Sequence, residues 1–499
     1  MNGVANRGGW PLIWENGECL NLQNPQQKAI RQMQLSQIPK VAATFDDPNL
    51  ISSAGLVPVM RLARRAGLPH LVTSLVKVPG GAGVDAAAKV ASIVAGMLAG
   101  ADSIDDLAVL REGAVGKVLP GVKAPSTLGT FLRAFTFGHV RQLGAVAAAL
   151  LVKLAALAVL LPAAAPGDRD AVTWLDVDDT MRQTYGYLKQ GVGYGYNKVK
   201  GLNALLAIAS TSAGSCGPVI VGHRLRKGPV NSARGAGKFL ADAIAATRRT
   251  GHAAAVICAR LDSAFYNHSV VAAVLAAGAR FSITARMDPA ITAAINLIPD
   301  DGWVSIKYPQ AIFDEEQQRW ISDAQVAETT YTAFTSKPRK HQVTARLIVR
   351  RVKRLNPAAA RQGQGELFAV YRCHAVFTNS TEPTLIAEAH HRDHAIVEQV
   401  IADLKGSALK HFPSGVFNAN AAWLTCAVIA YNLTRAAAAL TGAPLGKART
   451  ATIRATLINI PARIAYSARI HTLHLPARSR RETLFNNMFT AVMAPPQAA

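Results

Sequence analysis

Up to about residue 165, apolar positions recur at helical spacing with breaks at Pro79-Gly80-Gly81, Gly100, Pro120-Gly121 and Pro125, which predicts a helical region. Ser126 and Thr127 precede an amphipathic run over 128–143 as hydroxyl caps, and residues 103–107 open the helix before it. Two short helices joined by a Gly/Pro turn suit a helix-turn-helix reader, with Arg133, His139 and Arg141 for phosphates. An ordinary helical bundle fits the same pattern. The Ala-rich stretch 144–162 approaches membrane-spanning length, but Lys153 near its centre argues for a buried or interdomain helix.

Beyond a linker at 162–168 the period changes. Residues 172–178, 204–212 and 218–225 read as three consecutive strands, 235–249 as a helix, 253–262 as a fourth strand, 269–278 as a helix and 280–285 as another strand. Short alternating runs from 299 to 379 predict an antiparallel β insert. Helices are expected at 385–404 and 418–440, and extended segments at 458–462 and 470–478. The whole reads as a multidomain α/β chain: a helical region (1–165), a mixed-sheet core in two parts (166–298 and 381–445), the β-rich insert (299–380) and a basic C-terminal extension (446–499).

Composition narrows the class. The 499 residues include 54 Lys+Arg against 31 Asp+Glu, a formal charge of +23, with 50% hydrophobic and 17% charged residues, so disorder is excluded and a polyanion, first of all nucleic acid, is the natural partner. The 5 cysteines are far apart with no CxxC pair, which speaks against disulfides and structural zinc and fits a reducing cytoplasm. The first residues show no secretory pattern. A P-loop is rejected because Ser232 stands where Gly237-Lys238 needs an upstream glycine, and His390 and His394 lie outside any HExxH.

Three acidic positions end or line regular elements. In Asp176-Val177-Asp178-Asp179, period-two alternation places Asp176 and Asp178 on one face of a strand. Asp262 follows the apolar run 253–259, and Glu398 lies in the helix HAIVEQVIADLK. Carboxylates from three elements are suited to hold two Mg²⁺ ions, with Mn²⁺ as a substitute, roughly 3.5–4 Å apart for in-line attack on phosphorus.

The segments DVDDT, RLDSAFYN and HRDHAIVEQVIADLKG, followed by FPSGVFNANAAWLTCAVIAYNLTRAA and INIPARI…TLHLPAR, resemble the DDE transposases of bacterial insertion sequences, most closely the branch called the thirteen-eighty family. The likeness runs from about residue 103 to 478. It implies a ribonuclease-H-like catalytic core, an N-terminal DNA-binding or dimerisation region, a β insert before the Glu, and a homodimer that cuts at terminal inverted repeats and joins the 3′ ends to target DNA. Asp178 matches the first Asp, with Asp176 as its rival; Asp262 matches the second, and Glu398 the Glu. Relatives carry Tyr, Arg, Glu and Lys at fixed spacing in the last helix, whereas this chain has His391, His394, Glu398 and Lys405, with Arg392 a rival for the arginine role. A nuclease that only hydrolyses, or a DNA-binding protein with a decayed site, are the other readings.

Basic residues complete the expected DNA surface. Segment 337–354 holds eight Lys+Arg and no acid, and 447–481 another eight with none. In a strand, Arg346, Arg350 and Arg354 share one side and match a phosphate backbone. Near the first Asp, Tyr185, Tyr187, Tyr194 and Tyr196 interleave with Lys189, Lys198 and Lys200, a mixture suited either to unpaired bases or to packing. Trp303 and Trp320 are candidates for stacking on a flipped base or for the core.

Overall fold

In the computed structural model, residues 43–162, 172–185, 189–211, 216–251, 255–306, 324–353 and 371–494 are described, together with the backbone of four short strands outside those spans. The expected linker, Tyr187 and Arg354 lie wholly or largely outside the described residues. Residues 1–48 and 49–499 are two units. The first holds β1 (Ile13–Glu15) and β2 (Glu18–Leu20), paired antiparallel.

In the second unit, β3 (Leu50–Ile51) leads into α1 (Leu56–Arg65), α2 (Leu68–Leu75), α3 (Ala86–Ala99), α4 (Pro125–Arg133) and α5 (Phe137–Ala158). The amphipathic run starting at Leu128 is two helices rather than one. Thr136 Oγ1 accepts the N–H of His139 while the His139 ring accepts the N–H of Thr136, a capping box that starts α5, whereas α4 begins at Pro125 with no side-chain cap. The element before them, Asp105–Arg111, is a 3₁₀-helix.

One large sheet follows. Its core consists of β4 (Val172–Gln183), β5 (Gly193–Tyr194), β6 (Lys200–Thr211), β7 (Val219–Arg226), the crossover helix α6 (Ala236–Arg249), β8 (Val256–Leu261), α7 (His268–Ala276) and β9 (Arg280–Thr284). β4, β6 and β7 pair antiparallel in turn, while β8 runs parallel to β4 and β9 parallel to β8. Parallel neighbours need a helical crossover, and α6 and α7 provide it. The strand segment Val172–Val177 is buried on both faces, as a central strand must be.

The insert contributes β10 (Val304–Ile306), the pair β11 (Phe313–Asp314) and β12 (Arg319–Trp320), then β13 (Ala324–Ala333), β14 (Val343–Lys353) and β15 (Tyr371–Thr378). Its antiparallel strands are present as expected, and they extend the core sheet: the order is β10-β13-β14-β15-β9-β8-β4-β6-β5, with β7 also on β6. Two helices stand where one was expected, α8 (Thr384–Arg392) and α9 (Ile396–Lys405), separated by a 3₁₀ turn at Asp393–Ala395.

The long helix α10 (Phe417–Ala439) is the centre of the second unit, buried over nearly its whole length. It packs against α3, α4, α5 and β7. Asn432 bridges the backbone of Ile220 on β7, accepting at 3.0 Å and donating at 2.8 Å, so the polar side chain inside this core is satisfied. The apolar helix α5, the one among the described residues long enough to cross a membrane by composition, turns Leu143, Val146, Leu150, Leu151 and Leu154 inward and packs on α10.

Residues 454–458 form a π-helical turn, so the expected strand starts later, at β16 (Ala462–Ser467), followed by β17 (Ile470–His474) and α11 (Glu482–Met493). β16 pairs with β17 and with β3, tying the end of the unit to its beginning. Gly55 marks how close this joint is: its N–H donates to Ile458 O at 3.1 Å, and a Cβ there would stand 1.8 Å from the carbonyl oxygen of Leu457. Gly55→Ala is therefore expected to cost about 1–3 kcal/mol by overpacking against backbone. Thermal melts check this, and an unchanged Tm refutes it.

Candidate active site

The site grows from the shared register of two strands. β4 and β8 are parallel with Asp176 beside Arg260 and Val177 beside Leu261, so the next residues, Asp178 and Asp262, come together where β8 ends. Sites in such sheets lie outside the carboxyl ends of strands. Asp262 caps a 3₁₀ turn, accepting the N–H of Ala264 at 3.0 Å, and Asp178 Oδ1 accepts the N–H of Asp179 at 2.7 Å.

The four acids of the two motifs have different surroundings. Asp176 is fully buried and accepts from Arg260 Nε at 2.7 Å and Nη2 at 2.8 Å, while His394 Nδ1 lies 2.8 Å from its Oδ1. Arg260 is held in turn by His390 O at 2.5 Å and lies 4.6 Å from the ring centroid of Trp174. Asp179, on the opposite face of β4, is ion-paired with Arg226, which also bonds Asn203 at 2.9 Å and Ser232 O at 2.9 Å. Asp176 and Asp179 are thus neutralised within the chain.

Asp178 and Asp262 have no such balance. Burial, then the neighbouring Asp262, pushes the Asp178 carboxyl up to about 6, against the opposing pull of the Asp179 N–H and His394. Asp262 is also raised, chiefly by burial. The Tyr196 hydroxyl is raised by burial and by Asp179, Asp178 and Asp262, which places it in the field of the same group. Two carboxylates held together with unbalanced charge suit a cation. They also carry a cost that pH reveals. A carboxyl whose folded pKa is raised favours the fold below its unfolded pKa and loses that contribution as pH rises through about 6. Asp178→Asn keeps the acceptor for the Asp179 N–H, so without metal it is expected to stabilise the chain at pH 7.5 by on the order of 2 kcal/mol, a gain absent near pH 4. Urea titrations in chelator at both pH values test this; no gain at pH 7.5 refutes it.

A patch of positive charge adjoins the pair. Lys405 at the end of α9 is lowered by burial and by Arg182, with Asp178 acting in the opposite sense. Arg182 shares the face of β4 that carries Asp178, is anchored on Lys410 O, and has a buried Nε with no hydrogen-bond partner. Arg182 was missed by sequence reasoning; the period-two spacing from Asp178 is the signal that would have found it.

The other expected site residues separate into two groups. Glu398 is exposed on α9, and among the described residues no three His, Cys, Asp or Glu side chains lie close enough to hold a metal ion. Tyr194 and Lys198 are exposed on the β5–β6 hairpin, open to a ligand. His391, expected against phosphate, is buried instead: Ser282 Oγ lies 2.8 Å from Nδ1 and Thr284 Oγ1 2.9 Å from Nε2, and burial pulls its pKa down to about 3. Arg392 Nε donates to both oxygens of Glu388 at 3.1 and 2.9 Å. Arg346 and Arg350 do share one face of β14, but that face is covered by α8. Arg346 donates to Glu328 at 3.0 Å and to Ser380 O at 2.8 Å, and Arg350 lies 3.3 Å from Glu388, so this part of the expected DNA stripe is an internal latch. Trp303 is buried with the Arg351 guanidinium 4.0 Å from its ring centroid, which is a core position rather than a base-stacking one.

The sequence matches the family described as transposase DDE domain group 1 over residues 33–496. No curated protein matches it.

Proposed function

Because this chain belongs to the DDE transposase family, and so to enzymes that act on DNA, we propose that it cleaves at the terminal inverted repeats of its own element and joins the freed 3′ ends to target DNA. The observation that carries the reading is the Asp178–Asp262 pair, brought together by the register of β4 and β8 and ionically unbalanced, with Lys405 beside Asp178 and Arg182 next to Lys405. The strand pattern supports a ribonuclease-H-like core: three antiparallel strands, then two parallel ones joined by helices, in the spatial order β7-β6-β4-β8-β9. The ordered combination of motifs, though not the Tyr and Arg positions of the last helix, is what assigns the chain to the thirteen-eighty branch in this reading.

In this reading Asp178 and Asp262 would hold Mg²⁺, with Mn²⁺ as a substitute, and Glu398, which is exposed on α9 and not grouped with them, is the expected third ligand. A metal bound there would lower the pKa of a water or 3′-hydroxyl and offset charge on the leaving oxygen. The chain's own residues do the rest. Arg260 and His394 fix Asp176 behind the site, so the part of β4 that presents Asp178 is rigid. Lys405 and Arg182 take phosphates of the strand being cut, and Tyr194 and Lys198 line the rim as the DNA enters. A homodimer pairs the two element ends.

The test is incubation with Mg²⁺ and labelled duplex carrying the element's terminal repeats, resolved on a denaturing gel, with a pre-cut 3′ end supplied in parallel. Cuts at the repeat boundary and joined product support transposition. Cuts without joined product indicate a hydrolytic nuclease. Binding without cuts, in Mn²⁺ as well, indicates a decayed site, a reading favoured by the exposed position of Glu398.

A further inference from the structure

The hairpin β16–β17 has no role in the chemistry above, yet its construction is unusual. Ser467 pairs with Ile470, so the turn is the two residues Ala468 and Arg469, and both adopt left-handed backbone, φ 47° and 66°. Two-residue hairpin turns with positive φ at both positions are normally Asn-Gly or Asp-Gly, because a Cβ makes this conformation costly. Here an alanine and an arginine occupy it, and Arg469 is exposed at the tip. Such strain persists where a side chain is needed in that place.

The hairpin surface is equally distinctive. Beyond Ala462 and Ile464, which face the core, the ribbon is exposed: every residue of β17 except Leu473 is open to solvent. Tyr466 is 64% and Ile470 63% exposed, and Tyr466 packs across the ribbon on His471 with ring centroids 4.7 Å apart. On the outward side Arg463 stands opposite His474, then Ala465 opposite Thr472 and Ser467 opposite Ile470, a face with arginine and histidine at its base and smaller side chains before the tip. Among the described residues β17 is an open edge of its sheet. From 447 to 481 the chain has eight Lys and Arg and no acid. Of these the ribbon itself carries Arg463 and Arg469, the other six flanking it. An open edge invites another strand, but two copies of a segment with no acid to balance these charges repel each other, whereas a polyanion is attracted.

We propose that the β16–β17 hairpin is a DNA-binding ribbon that enters a groove of double-stranded DNA with Arg469 at its tip and Arg463 on its outward face. A two-stranded ribbon is of the right width for the major groove, and Arg contacts with phosphate or guanine are the commonest anchors there. This rests on the reading of the chain as a DNA-handling protein. It assigns a second contact region, remote in sequence from the acidic pair.

The test uses the full chain in chelator, so that cleavage plays no part, with a fluorescent duplex of arbitrary sequence and a salt titration followed by anisotropy. Arg463→Gln with Arg469→Gln is expected to weaken binding roughly tenfold and to reduce the slope of log K against log salt by about 2, near 0.9 per lost phosphate contact. Lys238→Gln with Arg249→Gln, an equal charge loss on α6, is expected to change the slope far less. A third variant, Ala468→Asn with Arg469→Gly, installs a relaxed turn. It is expected to raise Tm and still weaken binding, which separates loss of the contact from loss of fold. Wild-type affinity and slope in the first variant overturn the proposal, as does an equal loss in the α6 control. Unchanged DNA affinity together with a lost dimer in light scattering overturns it in favour of strand pairing between copies. If the unaltered chain fails to bind any duplex, the DNA reading itself falls.

Discussion

Asp262→Asn is expected to reduce cleavage of element ends by about a thousandfold or more while leaving duplex affinity within about twofold. A cation between two carboxylates contributes several kcal/mol of charge stabilisation, and about 4 kcal/mol corresponds to a factor near a thousand in rate. The substitution removes one of the two unbalanced charges but little else. The Asn oxygen still accepts the N–H of Ala264, so the 3₁₀ turn Ser263–Phe265 survives. In the proposed reading, binding rests on Lys and Arg side chains, which this change does not touch. The measurement is a cleavage time course in Mg²⁺ beside anisotropy in chelator. Cleavage above about a tenth of the unaltered rate removes Asp262 from the set of ligands.

The largest effect on stability is expected at a residue that positions the site from behind without entering it. Arg260→Met should cost about 3–5 kcal/mol, because it leaves the Asp176 carboxylate buried with only the His394 ring as partner. The same change removes the bond from Arg260 to His390 O, which ties β8 to α8, and the cation over Trp174. Most of this cost reflects the stranded charge rather than the intrinsic worth of the pair. Adding Asp176→Leu should therefore restore much of the lost stability, since a buried pair replaced by apolar groups is often neutral. Urea unfolding of the single and double variants decides this. A single variant within about 1 kcal/mol of the unaltered chain refutes the structural role of the pair.

Both predictions concern acids that look alike in the sequence. Asp176 and Asp178 lie two residues apart on one face of one strand, and alternation cannot tell them apart. What separates them is the neighbour across the parallel register: Arg260 beside Asp176, and Asp262 beyond Leu261 in line with Asp178. The same reasoning explains the arginines. The period of two correctly puts Arg346 and Arg350 on one side of β14, but α8, nearby in sequence to β15 and not to β14, covers that side with Glu388, Thr384 and the carbonyls before it. His391 looked available for phosphate until Ser282 and Thr284, more than 100 residues earlier, were seen to enclose its ring.

By itself, then, the sequence determined much of the order of helices and strands, the mixed α/β class, the position of Asp262 just past the end of an apolar strand, the antiparallel insert and the excess of positive charge. These follow from periodicity and charge, which are local or summed properties of the chain. The first strand was expected to end at residue 178, whereas β4 runs on to Gln183 and holds Asp178 within it. Only the tertiary structure decided which carboxylates stay unbalanced, which arginines are spent on internal acids, that the insert extends the core sheet, and that residues 462–474 of the basic tail form an exposed hairpin. Each of these depends on which distant side chain meets a given one. Burial makes that choice decisive, because a charge removed from water must be paired, and the partner comes from wherever the fold brings one.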